Sequence, residues 1–268
     1  MPKATLEQIL QVTRARVALL QGGATDLARR AGAAPLPRPF LGAPPASPLG
    51  PAVGIVAEIK RRSPSQGTIR PDLDPVAHAR AYARGGAVAV SVLTDEAHFG
   101  GSLDDLSRVA AAVALPVLRK DFIIDEIQIL EARASGASAV LLIVRALAPE
   151  RLGALAAAAA AQGLATLVEV HTEGELEAAL AVRPTAVGVN ARDLTTFAVD
   201  LRAAERVVAR VPPGVPVVAE SGIEGRGDVE RLAAAGADFV LVGTSVARRS
   251  DPETAVRALT GVGRIRRG

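Results

Sequence analysis

Gly85-Gly86-Ala87-Val88-Ala89-Val90 returns as Ser135-Gly136-Ala137-Ser138-Ala139-Val140 and again as Ala235-Gly236-Ala237-Asp238-Phe239-Val240, at offsets of 50 and then 100 residues. Leu115-Pro116-Val117 and Val215-Pro216-Val217 repeat the 100-residue offset. Such spacings correspond to two and four strand-helix units of about 25 residues each. Working outward, short apolar or β-branched runs occur at 55–59, 87–93, 116–118, 139–144, 165–170, 186–189, 216–219 and 239–242, with helical stretches between them. Asp74-Pro75 supplies a cap and a first-turn proline, Gly85-Gly86 ends the same helix, Thr172 and Glu175 suggest a capping box, and Asp251-Pro252 opens the last helix. A doubly wound sheet also alternates strand and helix. Eight units with half-chain similarity favour closure into a single α/β barrel of the (βα)8 type.

The chain before this body differs. Leu6, Ile9, Leu10, Val17 and Leu20 lie roughly on one helical face, and a second short helix is predicted over 24–31. Residues 34–51 are rich in Pro, Gly and Ala and read as an extended connector. The expected division is an N-terminal helical extension with a Pro-rich connector over 1–53 and a barrel catalytic domain over 54–268.

Composition narrows the chemistry. Apolar residues make up 49% and aromatics only 2%, so the core must be built from Val, Ile, Leu and Ala, as suits a buried parallel sheet under Ala-rich helices such as Ala156–Ala161. Without cysteine there is no disulfide, thiolate nucleophile or Cys-based metal site, and His78, His98 and His171 are too scattered for a zinc or Ser-His-Asp site. No metal and no cofactor are expected. Met1 to Thr5 lacks the apolar core of a signal peptide, and the longest apolar run, Leu152 to Ala161, is too short for a bilayer, so no membrane association and a cytoplasmic location are expected. The net charge of +3 is dispersed, without a basic stripe or stacking aromatics, which argues against nucleic acid. A monomer or weak homo-oligomer is expected.

Of 31 basic residues only Lys3, Lys60 and Lys120 are lysines, which raises the question of what arginine could not do there. In a (βα)8 barrel the C-terminal strand ends face the active-site mouth. Those ends carry Glu58 and Lys60, then Lys120 with Asp121 and Phe122, Glu169, Asn190 followed by Arg192, Glu220-Ser221-Gly222, and Gly243-Thr244. A mutual ion-pair network that only closes the core is the plain alternative. Charges from several strands gathered at one rim fit a catalytic constellation better.

Ser221-Gly222-Ile223 and Gly243-Thr244-Ser245 follow the last two strands, where barrels commonly present backbone N–H groups to phosphate, with 245–249 as the short extra helix. Lys60 and Ser63 approach the same anion from the first strand. Lys60 to Gly67 reads as a polar, mobile loop covering substrate, Phe99 as a wall for an aromatic or apolar group, and His171 as a helix-entry residue.

Taken together, Ala57-Glu58-Ile59-Lys60-Arg61-Arg62-Ser63-Pro64-Ser65, Ser91-Val92-Leu93-Thr94 with Phe99, Leu118-Arg119-Lys120-Asp121-Phe122-Ile123, Leu167-Val168-Glu169-Val170-His171, Gly188-Val189-Asn190-Ala191-Arg192-Asp193-Leu194, Ala219-Glu220-Ser221-Gly222-Ile223 and Val242-Gly243-Thr244 resemble the indole-3-glycerol-phosphate synthase family of tryptophan biosynthesis. The resemblance runs in order from about Leu6 to Arg257, and Pro39-Phe40-Leu41 departs most from the family pattern. It implies a small phosphorylated anthranilate-derived substrate, 1-(2-carboxyphenylamino)-1-deoxyribulose 5-phosphate, closed to an indole with loss of carbon dioxide and water, and no cofactor.

For that chemistry Lys120 suits a general acid, because an ammonium releases a proton and a guanidinium effectively does not. Glu169 is the first candidate for one of the acid and base roles in dehydration, with Lys60 and Glu58 for the other. Asn190 and Arg192 are candidates to hold the anthranilate carboxylate, and Glu220 to orient a lysine or bind a sugar hydroxyl. Leu194, Phe122 and Phe99 would surround the aromatic ring. The rival readings are a phosphoribosylanthranilate isomerase, whose usual base is a cysteine this chain lacks, a sugar-phosphate epimerase, or a non-catalytic binder of a phosphorylated ligand.

Overall fold

The computed structural model describes residues 5–42, 46–47, 50–265 and 267. Lys3 and residues 43–45 and 48–49 of the Pro-rich connector lie outside them. Eight parallel strands close on themselves: β1 (Gly54–Ile59), β2 (Ala89–Leu93), β3 (Val117–Lys120), β4 (Ala139–Ile143), β5 (Ala165–Val170), β6 (Ala186–Asn190), β7 (Val217–Glu220) and β8 (Phe239–Val242). Closure is made by β8 pairing with β1, from Phe239 opposite Gly54 to Val242 opposite Ala57.

Two helices precede the barrel, α1 (Leu6–Leu20) and α2 (Ala24–Ala33). Thr5 and Gln8 form a reciprocal capping box that starts α1. The helices of the barrel follow as α3 (Pro75–Arg84), α4 (Leu103–Ala112), α5 (Glu126–Ala134), α6 (Pro149–Ala161), α7 (Glu173–Ala181), α8 (Leu201–Arg210), α9 (Arg226–Ala234) and α10 (Pro252–Arg257). Asp74, Ser102, Asp125, Asp200 and Asp251 accept first-turn N–H groups at five of these starts, each satisfying a donor the helix cannot. Among the described residues no helix is long and apolar enough to cross a membrane.

Strand periodicity sorts the core into two shells. Ile55, Ala57 and Ile59 of β1, Val168 and Val170 of β5 and their equivalents face the helices. Val56, Leu118, Leu141, Leu167, Val218 and Leu241 face inward, joined by Phe40 and Leu41 from the connector and by Ile9 and Leu10 of α1. Because side chains alternate, the residue two positions after each inward apolar one also faces inward. For Val56, Leu118, Leu167 and Val218 that residue is Glu58, Lys120, Glu169 and Glu220.

The strands therefore run further than their apolar runs suggest: β3 continues through Arg119 and Lys120, β6 through Asn190, and β7 through Glu220. Polarity hides the ends of strands whose last residues serve the mouth. The capping box expected at Thr172 is absent: the Thr172 side chain makes no cap bond. Glu175 instead accepts the His171 N–H at 2.6 Å and Arg145 Nε at 3.0 Å, partners that outcompete the neutral cap. The short helix after β8 is Thr244–Ala247, rather than 245–249.

Candidate active site

A cavity of about 1020 Å³, counting its open mouth, lies at the C-terminal ends of the strands. Glu58, Lys60, Ser63, Phe99, Lys120, Phe122, Glu169, Asn190, Arg192, Leu194, Glu220, Ser221, Gly222, Gly243 and Thr244 all line it, so the structure brings together every site residue named from sequence.

Its floor is a cluster of charges. Lys60 Nζ lies 2.6 Å from Glu58 Oε1, while Lys120 Nζ lies 3.9 Å from Glu58 Oε2, so one carboxylate stands between the two amines. Lys120 Nζ is also 3.8 Å from Glu169 Oε2 and 3.2 Å from Glu220 Oε2. Burial works against each charge, and the neighbours decide the outcome. For Glu58, burial is outweighed by Lys60 and Lys120, which hold its carboxyl below the usual range. Burial of the Lys120 ammonium is outweighed by Glu220, Glu169 and Glu58, which push it up. For Glu220, burial prevails over Lys120 and, helped by Glu169 and Glu58, raises the carboxyl to about 7. Glu169 Oε2 and both Glu220 oxygens are buried with no hydrogen-bond partner among the described residues, so the Lys120 contacts are charge attraction without aligned hydrogen bonds. Oxygens left in this state are set to accept donors from something that enters the cavity.

Two glycines make room for this cluster. A Cβ at Gly188 would run into Glu220 Oε1, and one at Gly243 would strike Glu58 Oε1 and lie 3.1 Å from Lys60 Nζ.

The wall on the β2–β3 side is apolar. Phe99 and Phe122 stand 6.3 Å apart between centroids, with Leu93, Leu141, Ile143 and Leu194 nearby. Asp95 was not anticipated from sequence; it accepts the N–H groups of His98 at 2.6 Å and Phe99 at 3.2 Å and so sets Phe99 in place. The β7–β8 side is made of backbone and hydroxyls. Ser221 and Gly222 both adopt left-handed φ, at 68° and 74°, and a Cβ on Gly222 would also press on Leu201. Ser245 Oγ donates to the Ile223 carbonyl at 2.7 Å and ties the two glycine loops together. On the β6 side, Asn190 Oδ1 accepts the Arg192 backbone N–H at 3.0 Å, and the Arg192 guanidinium donates to the Phe197 carbonyl at 3.1 Å. Leu141 and Ile143 were legible as inward positions of β4; Phe197 and Glu224, brought in by loops, carried no signal.

The loop after β1, expected to be a mobile loop covering substrate, lines the cavity with Ser63, Pro64, Ser65 and Gln66 and is a pinned hairpin in which Arg62 pairs with Thr68 and Ser63 with Gly67. Arg61 grips Asp105 with both terminal nitrogens, at 2.5 and 3.1 Å, and Arg62 donates to the Glu96 carbonyl at 2.8 Å. His171 stands at the entry to α7 as expected, but its side chain is buried beside Glu169. Among the described residues no group of His, Asp or Glu is arranged to hold a metal ion.

A family model described as indole-3-glycerol phosphate synthase matches residues 6–259. The chain is 49% identical over 251 residues to "Indole-3-glycerol phosphate synthase 2" of Streptomyces coelicolor, covering 94% of this chain and 95% of that protein. It is 45% identical over 264 residues to the indole-3-glycerol phosphate synthase of Mycobacterium ulcerans, covering 98% and 96%. Among solved structures it is similar to a thiamine phosphate pyrophosphorylase from Pyrococcus furiosus, with a TM-score of 0.58, 19% identity, and 77% and 93% of the two chains covered, a likeness of fold alone.

Proposed function

The chain belongs to the indole-3-glycerol phosphate synthase family, and from that premise we propose that it closes 1-(2-carboxyphenylamino)-1-deoxyribulose 5-phosphate to an indole, as a carbon-carbon lyase of tryptophan biosynthesis in the cytoplasm. The isomerase, epimerase and pure-binder readings fall away with family membership. The observation that carries the mechanism is the Lys120 ammonium, set inside the barrel mouth within 3.9 Å of three carboxylates from three strands.

The aromatic carbon bearing the carboxylate attacks the ketone carbon, driven by the lone pair of the arylamine nitrogen beside it, and the ketone oxygen takes a proton from Lys120. The surrounding carboxylates bind that proton tightly. An oxygen becoming an alkoxide is more basic than an amine, so transfer is favourable once attack is under way. The C–CO2 bond then breaks, and its electron pair restores the aromatic ring. Dehydration removes the new hydroxyl with a proton and takes another proton from the carbon beside nitrogen. Glu169 accepts a proton in that step, and Lys60, held by Glu58, assists the departing hydroxide. Lys120 and Lys60 share Glu58 as neighbour, which permits two acids to work on one oxygen from different sides.

Binding follows the walls. Phe99, Phe122 and Leu194 enclose the aromatic ring, in an apolar setting that favours dispersal of the carboxylate charge. Arg192 and Asn190 hold the carboxylate before it leaves, and Glu220 holds Lys120 and meets a sugar hydroxyl. The loops of Ser221, Gly222, Gly243 and Thr244, with Lys60 and Ser63, cradle the phosphate. The purified chain given this substrate should produce an indole signal by fluorescence; tight binding without that signal would return the binder reading.

A further inference from the structure

His171 follows β5 directly, and its side chain is only 3% exposed. Nε2 lies 3.5 Å from Glu169 Oε1 and Nδ1 lies 3.6 Å from Glu175 Oε2. Neither nitrogen has a hydrogen-bond partner among the described residues. An imidazole left unsatisfied in a buried place is destabilising, and a leucine would fill the space without that cost. The ring does not line the cavity, so it reaches substrate only through Glu169.

What stands behind the ring is fixed in turn. Glu175 accepts the His171 backbone N–H at 2.6 Å and Arg145 Nε at 3.0 Å. Arg145 extends to Asp193 Oδ2 at 3.0 Å, and Asp193 Oδ1 accepts the N–H groups of Thr195 and Thr196 in the loop that also carries Arg192 and Leu194. A row of polar contacts thus runs from Glu169 through His171, Glu175 and Arg145 to the loop after β6.

We propose that His171 is a positioning residue: Nε2–H donates to Glu169 Oε1 and keeps the other oxygen, Oε2, turned toward Lys120, while Glu175 braces the ring from its far edge. The separation of 3.5 Å closes to a hydrogen bond with a small rotation of either side chain. The role rests on the reading that Glu169 transfers a proton. Substrate binding lies on other walls of the cavity, so turnover should register the ring and the substrate requirement should not.

The test compares three variants by steady-state kinetics, with folding checked by circular dichroism. His171→Leu is expected to lower kcat about 10- to 100-fold, the scale of a misplaced reacting group, with KM within about twofold. In His171→Gln the carboxamide nitrogen reaches the position of Nε2, and most of the lost turnover should return. Glu169→Gln is the control on the underlying reading: near-normal turnover there would sink the role of Glu169 itself. An inactive Glu169→Gln beside a fully active His171→Leu would overturn the positioning role alone, as would Leu and Gln variants that are equally slow. Should the leucine variant fail to fold, His171→Asn, whose amide reaches only the Nδ1 position, takes its place. It should be slow where Gln is fast, and equal rates refute the proposal.

Discussion

Arg119 and Lys120 are neighbours on β3, one facing the helices and the other the cavity, and the protein treats the two cations differently. Arg119, 0% exposed, donates to Thr94 Oγ1 at 3.2 Å, the Gln128 carbonyl at 2.7 Å, Asp121 Oδ2 at 3.0 Å and Glu131 Oε2 at 2.6 Å. Its acids are served from other sides too: Arg16 of α1 reaches Asp121 at 3.1 Å and Glu131 at 2.5 Å, Thr94 Oγ1 donates to Asp121 at 2.6 Å, and Asp121 Oδ1 accepts the Phe122 N–H at 2.9 Å. Around Lys120 the contacts lengthen to between 3.2 and 3.9 Å and carboxylate oxygens go without donors. A saturated network holds the end of β3 still; an unsaturated one leaves lone pairs and a proton for substrate. Among the described residues, the N-terminal extension takes part only in the saturated one.

The largest effect should come from the unsaturated face. Lys120→Arg keeps the charge but not a proton that can be given, and should cut kcat by about 10²–10⁴-fold while calorimetry still shows substrate binding. A variant with near-normal turnover would remove the general acid from the account. On the other face, Arg119→Met leaves Asp121 and Glu131 buried with fewer partners and should cost about 3–5 kcal/mol of stability in urea unfolding. A stable but inactive Arg119→Met would mean that the outer network takes part in the chemistry, and the contrast between the faces would be lost.

Glu220 sharpens the comparison through pH. Its carboxyl rises from 4.5 to about 7 on folding, chiefly through burial. Between those values the folded protein holds the proton and the unfolded chain has released it, so this group's contribution to stability is present at low pH and lost as pH rises through about 7. Glu220→Gln stays neutral throughout and should flatten that decline, measured as unfolding midpoints at several pH values. An unchanged slope would show that Glu220 is already ionised across the window.

The same contrast explains what could be read from sequence. The barrel was legible because Gly-Ala repeats mark helix ends and strand starts at offsets of 50 and 100 residues, and the inner charges because lysines are rare in an arginine-rich chain. Arg119, Asp121 and Glu131 carried no such mark. Arg119 looked like one arginine among many, and its acids, Asp121 and Glu131, are shared with Arg16, 103 positions before Arg119 in the chain, a convergence no local pattern encodes. Thr172 and Glu175 matched a capping pattern whose glutamate had stronger partners in Arg145 and the His171 N–H, brought near only by folding. The loop from Lys60 to Gly67 looked mobile because its anchors, Asp105 and the Glu96 carbonyl, belong to the following unit.

Arg192 offers the smallest effect and the finest division, since it belongs to neither extreme. Its backbone N–H is engaged by Asn190 and its guanidinium by the Phe197 carbonyl, while the side chain still lines the cavity. Burial, only partly offset by Glu224 and Glu58, lowers its pKa from the usual arginine value, and a carboxylate arriving beside it would relieve that cost. Arg192→Ala keeps the backbone bond to Asn190 and removes the charge-assisted contact, worth about 1.5–3 kcal/mol, along with the donation to the Phe197 carbonyl. KM should rise about 10- to 100-fold with kcat nearly unchanged, because the contact serves the bound carboxylate before attack begins. A fall in kcat at constant KM would instead place Arg192 with Lys120, among the groups whose work is done only as bonds change.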